Sequence, residues 1–139
     1  MQTPWAELGL SICYDLRFAA LHRALAQAGA QVLAVPSAFA RPTGEAHSHV
    51  LLRARAIETG CFVIAAAQTG VHPGSGRKIF LLSLILLPWG QEILDAGPDI
   101  GLLFETLDLG ESEQARARFA SLPLDRQFGL KRFLIYVKT

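Results

Sequence analysis

Three short apolar runs, each separated from the next by a helical segment, constrain the fold of this chain more than any other feature. Residues 8–13, 31–36 and 61–67 are almost continuously apolar, which is typical of strands covered by helices. Residues 16–27 and 46–59 lie between these runs and carry apolar side chains at helical spacing. Two successive strand–helix–strand units predict an α/β fold with at least one fully covered sheet face. Residues 1–139 are interpreted as a single domain.

The two helical segments show which side chains are expected to face solvent. In the first segment Leu21, Leu25 and Ala28 fall on one face. His22 lies on the same helix and is expected to be exposed. In the second segment Arg55 projects away from the apolar repeat. That repeat consists of Val50, Ala54 and Ile57.

The second half of the chain has a different character. Residues 78–87 and 91–95 flank Pro88-Trp89-Gly90, a sequence that predicts a hairpin turn. Residues 101–109 and 132–137 have strand-like composition, and residues 111–119 predict a short helix with acidic residues in its first turn. No repeat or linker divides the chain.

The composition excludes several classes of function. The 13 basic and 12 acidic residues are scattered, so the net charge of +1 indicates no surface for nucleic acid. The two cysteines have no metal-type spacing, and neither a metal nor a cofactor is predicted. The most apolar stretch, residues 79–89, is too short to span a bilayer. We therefore expect a cytoplasmic protein with reduced thiols. Its 51% hydrophobic content indicates either a large core or contact with another chain.

Cys13 is the residue most suited to chemistry. It ends an apolar strand and precedes a helical segment, so it would be presented above the edge of the sheet as a nucleophile. The neighbouring Asp15 and Arg17 are expected to order the turn around it. Position alone leaves an alternative open, because a lone cysteine in an apolar strand is often an inert core residue.

Several motifs in order give this chain a specific resemblance. Residues 9–18 (GLSICYDLRF) closely resemble the nucleophile segment of the nitrilase superfamily of carbon–nitrogen hydrolases. Residues 36–39 (PSAF), 43–47 (TGEAH), 51–58 (LLRARAIE) and 88–90 (PWG) resemble later landmarks of that family, in the same order. The sequence of these motifs is most similar to that of the branch that hydrolyses small amides. The resemblance covers residues 5–128 and corresponds to the carboxyl-terminal half of the family's fold.

The resemblance implies a fold and a mechanism. The family's fold is a four-layer αββα sandwich that usually forms dimers or larger oligomers. Its chemistry uses a glutamate base, a lysine that stabilises the oxyanion, and a cysteine that forms a thioester. Cys13 takes the nucleophile position. The base and the lysine precede the cysteine in the family, whereas the twelve residues before Cys13 contain one acid, Glu7, and no lysine.

Further departures from the family pattern concern two segments. Residues 46–49 read AHSH where relatives often carry a glutamate, so His49 and His47 are candidates for an improvised base, or else ordinary helix-surface histidines. Leucines stand where the family has polar or backbone-critical residues in the strand before Pro88, which suggests an engineered half that covers a new apolar face. The leucines expected at an interface are Leu81, Leu82, Leu84, Leu86 and Leu87.

These observations predict half of a nitrilase-type sandwich. One mixed sheet would carry helices on one face, and a second copy of the chain would cover the other face in a homodimer or higher homo-oligomer. Such a half would be catalytically incomplete and self-associating. Two alternatives stay open: an amidase that uses Cys13 with a partner chain or with the His47/His49 site, and a thiol-reactive or acyl-binding protein.

Overall fold

The computed structural model describes residues 1–76, 78–79, 83–97 and 100–126. The chain begins with alternating strands and helices and continues with antiparallel strands and a last helix. In chain order the elements are β1 (Leu8–Leu10), a 3-10 turn (Cys13–Arg17), α1 (Ala19–Gln27), β2 (Val32–Ala34), α2 (Arg41–Thr59), β3 (Phe62–Ala65), β4 (Gly70–Val71), β5 (Lys78–Ile79), β6 (Leu84–Leu86), β7 (Glu92–Asp95) and α3 (Gly110–Arg118).

A mixed sheet organises the described residues and confirms the predicted fold class. Its strand order is β1-β2-β3-β6-β7, in which β1, β2 and β3 are parallel and β6 and β7 are antiparallel to their neighbours. The strands β4 and β5 form a separate two-stranded sheet. The parallel strands arise from the two strand–helix–strand units that the sequence predicts.

The helices α1 and α2 cover one face of the mixed sheet. Gly9 in β1 lets α1 approach closely, because a Cβ atom at this position would lie 2.7 Å from Leu33 and 3.1 Å from Leu25 of α1. Leu33 and Val63 face these helices from β2 and β3 and are fully buried, as is Leu52 of α2. Close packing of these apolar side chains is the main source of stability in a domain of this size.

The helix α2 differs from the prediction at both its start and its face. It begins at Arg41 rather than at residue 46, with Pro42 in its first turn, where the missing N–H costs nothing. Its supposed apolar face is exposed, with Val50 67% and Ile57 50% accessible, whereas Arg55 is buried. The buried face instead consists of Gly44, Ser48, Leu52, Arg55, Ala56 and Thr59.

The hairpin at residues 88–90 is confirmed. Leu87 donates its N–H to the carbonyl of Gln91 at 2.8 Å, and Gly90 donates to Leu87 at 2.8 Å with a positive φ of 86°. The strand predicted at residues 101–109 is wrong, because no described residue pairs with this segment as a strand. Leu102 and Phe104 are consequently 83% exposed. The strand predicted at residues 132–137 lies outside the described residues.

The leucines expected at an interface have several different environments. Leu84 and Leu86 belong to the buried core of this chain, at 1% and 0% exposure, because β6 pairs on both sides and packs under α2. These two side chains are therefore not available to a second copy in this fold. Leu87 is half-buried, and Leu81 and Leu82 lie outside the described residues.

Candidate active site

The backbone around Cys13 has a conformation that few residues adopt. Cys13 opens the 3-10 turn with a φ of +45°, and it is the one non-glycine residue with positive φ in the described part of the chain. Its N–H donates to the carbonyl of Pro36 at 2.8 Å. Residues held in this left-handed region cost about 1–3 kcal/mol and persist where the surrounding structure fixes them.

Asp15 orders the turn, as the sequence predicts. Its carboxylate accepts the N–H of Ile12 at 2.9 Å, and its carbonyl accepts the N–H of Phe18 at 2.9 Å. Arg17 lies with its guanidinium 5.5 Å from the ring centroid of Tyr14 and 5.6 Å from that of Phe39. The turn is therefore closed by one carboxylate and flanked by a cation held between two aromatic rings.

His22 lies behind this turn and is fully buried, so the expectation that it is exposed is wrong. The helix α1 directs His22 and Ala26 toward the sheet rather than Leu21, which is 36% exposed. Its Nε2 lies 3.2 Å from Oγ of Ser11, and its Nδ1 lies 3.0 Å from the carbonyl of Phe18. Burial lowers the pKa of His22, with a smaller contribution in the same direction from the charge of Arg55.

Arg55 supports the same turn from α2. Its Nε donates to the carbonyl of Leu16 at 3.0 Å, and its Nη1 donates to Glu58 at 2.6 Å. A buried guanidinium is tolerated because its donors are paired in this way. Sequence reasoning missed both His22 and Arg55. The available signal for His22 was its spacing of three and four residues from Leu25 and Ala26 on one helical face.

A cleft of about 490 Å³ opens beside Cys13. It lies where β1, β2 and β3 end, and ligands of α/β sheets commonly bind at the carboxyl ends of parallel strands. Ser83 reaches it from the start of β6, and its Oγ accepts the N–H of Ala67 at 2.9 Å. The lining residues are Ile12, Cys13, Pro36, Ser37, Ala38, Ala66, Ala67, Gln68, Ser83 and Gly101, none of which is acidic or basic.

The structure does not bring His47 and His49 into this cleft. Nδ1 of His47 lies 3.3 Å from Nη2 of Arg17, and Nδ1 of His49 lies 3.6 Å from the carboxylate of Glu92. Neither histidine is among the residues that line the cleft beside Cys13. Asp15 and Arg17 belong to the turn itself and do not line the cleft either, so the described lining of the cleft supplies neither the base nor the cation that amide hydrolysis by this chemistry needs.

The second cysteine has the environment of an inert core thiol. Cys61 is fully buried and lies 3.2 Å from the carbonyl of Ala30, to which it donates. Burial raises its pKa, although hydrogen bonds and the nearby charge of Arg116 oppose the shift. Both cysteines are unpaired. Cys13, which is half-buried, is the thiol that a small molecule in the cleft can contact.

The described part of the chain contains no cluster of three or more histidine, cysteine or acidic side chains that could hold a metal ion. It also contains no helix of the length and apolar character needed to cross a membrane.

Comparisons with known proteins agree with this fold. The family model for carbon–nitrogen hydrolase matches residues 1–117. Human deaminated glutathione amidase is 47% identical over 116 residues, which are 84% of this chain and 35% of the human protein. The crystal structure of the Caenorhabditis elegans NitFhit protein is similar with a TM-score of 0.81 and 42% identity, over 86% of this chain and 29% of that one.

A solved structure of an amidase also shares the fold. It is a mutant of the amidase from Nesterenkonia sp. AN1 that carries acrylamide added at its active-site cysteine. The similarity has a TM-score of 0.68 and 31% identity, over 89% of this chain and 48% of that one. The chain therefore belongs to the carbon–nitrogen hydrolase family, and it spans about a third of the length of its human relative.

Proposed function

We propose that Cys13 is the nucleophile of an amide hydrolase whose general base and oxyanion-stabilising group are supplied by polypeptide beyond the described residues. That polypeptide is either the amino-terminal part of a longer chain or a partner chain. The observation that carries this proposal is the strained turn that presents Cys13 to a cleft at the ends of three strands. The absence of charged side chains from the cleft lining indicates which groups must come from elsewhere.

The proposed reaction has two steps. The Cys13 thiolate attacks the amide carbonyl, a C–S bond forms, the C–N bond breaks, and the amine leaves with a proton from the base. Water then attacks the thioester, which releases a carboxylic acid and returns the thiol. The developing oxyanion needs a donor or cation in both steps. Ser83, whose hydroxyl hydrogen is not used by its bond from Ala67, lies on the cleft and is suited to contact the substrate.

The relatives suggest the substrate class. Deaminated glutathione amidases from human, bovine and cyanobacterial sources are each 47% identical to this chain. We therefore propose a small amide of the deaminated-glutathione type as substrate. The cytoplasm is the proposed location, and two unpaired cysteines agree with a reducing compartment.

The test compares the chain alone with the chain completed by the amino-terminal part of the human relative. Alone, it should release amine from deaminated glutathione no faster than its Cys13→Ala variant. A single missing oxyanion donor already costs about a hundredfold to a thousandfold. The completed assembly, once shown to co-purify, should turn over and accumulate an acyl adduct on Cys13. Turnover that survives Cys13→Ala would contradict the proposal. Cys13-dependent turnover by the chain alone would show that these residues contain a working base.

We also propose that the chain self-associates through the exposed apolar part of the sheet face that lies opposite α1 and α2. Leu10 and Ile64 occupy the same register on that face and are 53% and 36% exposed, and Ile12 just beyond β1 is 65% exposed. A second copy would remove these apolar side chains from water. Measuring the mass in solution by light scattering tests the idea, and a stable monomer at micromolar concentration would contradict it.

A further inference from the structure

We infer that His22 is a positioning residue for Cys13, because its imidazole joins the two ends of the segment that carries the cysteine. One ring nitrogen contacts Ser11, two residues before Cys13, and the other contacts Phe18, five residues after it. The distances are 3.2 Å and 3.0 Å. Among the described residues His22 is the one side chain with hydrogen bonds to both ends of the segment.

The hydrogen-bond partners determine the tautomer of the buried ring. The carbonyl of Phe18 can only accept, so Nδ1 of His22 carries the hydrogen. Nε2 of the neutral ring is then an acceptor, and the one hydroxyl hydrogen of Ser11 lies between two acceptors, Nε2 at 3.2 Å and the carbonyl of Ala34 at 3.3 Å. Ser11 is itself fixed to β2, because its N–H donates to the carbonyl of Ala34 at 3.1 Å. The imidazole therefore links β2, through Ser11, to the first turn of α1.

This link constrains the backbone at Cys13. The chain must leave Ser11, pass through a residue with a φ of +45°, and return to Phe18 within one 3-10 turn. A left-handed residue with a side chain is unfavourable by itself and needs surrounding contacts to persist. Asp15 and Arg55 hold the interior of the segment, whereas His22 fixes the separation of its ends.

His22 cannot itself be the missing base. Its side chain is fully buried, both ring nitrogens are occupied, and it does not line the cleft. Its role in catalysis rests on the proposed function of Cys13, but its effect on the backbone does not. A test that replaces the thiol therefore separates the two proposals.

The test is a cycle of substitutions at residue 13 in four backgrounds of the full chain. Cys13→Gly should be more stable than Cys13→Ala by roughly fivefold in the unfolding equilibrium constant, since glycine adopts positive φ without a steric penalty. In Ser11→Ala and His22→Asn backgrounds this ratio should fall below about twofold, because the backbone can relax. In a Ser112→Ala background it should stay near fivefold.

Ser112→Ala is the matched control, because Ser112 is an equally small buried serine whose Oγ donates to the carbonyl of Gly60 at 2.6 Å, in a different part of the structure. An unchanged ratio in the Ser11→Ala and His22→Asn backgrounds would overturn the inference. An equal fall in the Ser112→Ala background would do the same, since it would reflect general loosening.

A direct measurement covers the case in which His22→Asn does not fold. The ¹³C shifts of Cα and Cβ at Cys13 report its backbone conformation in the folded Ser11→Ala chain. They should move away from left-handed values, and unchanged shifts would overturn the inference. In the completed assembly, Ser11→Ala should lower kcat with little change in KM, whereas an equal loss in the Ser112→Ala assembly would contradict a positioning role.

Discussion

The two faces of the mixed sheet are formed by the same strands but differ in how far their side chains are buried. On one face Leu33 and Val63 lie under α1 and α2 and are fully buried. On the other face, Leu10 of β1 and Ile64 of β3 remain 53% and 36% exposed. The covered face is the chain's own core. The open face, which lies opposite the helices, is only partly covered, because Phe62 on that face is fully buried whereas Leu10 and Ile64 are not.

The largest expected effect is the difference in stability between side-chain truncations on the two faces. Leu33→Ala should lower the free energy of unfolding by about 2–5 kcal/mol, because it leaves a cavity under the helices. Leu10→Ala on the adjacent strand should cost about 1 kcal/mol or less, because half of its side chain already contacts water. Urea unfolding of the two variants, at concentrations where the chain is monomeric, measures the difference. Equal losses would show that the open face is as well packed as the covered one.

The sequence predicts the order of elements well and the direction of side chains poorly. The runs at residues 8–13, 31–36 and 61–67 are apolar at nearly every position, so they lack the alternation that would show which side chains face the helices. The same ambiguity affects α2, where Ser48 is buried because its hydroxyl donates to the carbonyl of Gly44 at 2.5 Å. Buried polar residues that bond locally cannot be recognised from hydrophobicity.

At the candidate site too, the sequence predicts which residues take part better than it predicts their conformation and burial. Cys13 could be predicted from motifs, and Asp15 from its place in the turn. The burial of His22 depends on how α1 packs against β1, where Gly9 leaves room for Leu25 of α1 and for Leu33 of the neighbouring strand. The positive φ of Cys13 is a backbone property that no sequence pattern shows. The segment at residues 101–109 has strand composition but no strand beside it in the described structure. A strand needs a partner as well as a sequence.

Aspartate substitutions on the open sheet face and on the outer side of α2 should show which surface forms the contact between copies. The expected effect on the dissociation constant is intermediate in size. Leu10→Asp and Ile64→Asp should each weaken self-association by tenfold or more, because association would bury a carboxylate without a partner. Val50→Asp is the matched control, since Val50 is 67% exposed on the outer side of α2. Sedimentation across a concentration series gives the dissociation constants. If Val50→Asp alone abolished the oligomer, the helices and not the open sheet face would form the contact.

The smallest expected effect is a pH dependence of folding stability that arises from His22, on the covered side of the sheet. The pKa of His22 in the folded chain is lowered from its ordinary value of 6.5 by burial, and Arg55 acts in the same direction. Hydrogen bonding to Phe18 and the carboxylates of Glu58 and Asp15 oppose the shift without reversing it.

A histidine with a lowered folded-state pKa binds its proton more readily in the unfolded chain. Folding stability that depends on the neutral ring is therefore present above pH 6.5 and is lost as the pH falls below that value. The stability difference between wild type and His22→Asn should accordingly shrink between pH 7.5 and pH 5.5, because asparagine does not titrate. The other histidines are present in both chains and cancel in the comparison. Urea midpoints at the two pH values measure the change, and a difference that stays constant or widens on acidification would show that His22 does not need to be neutral to hold Ser11 and Phe18 together.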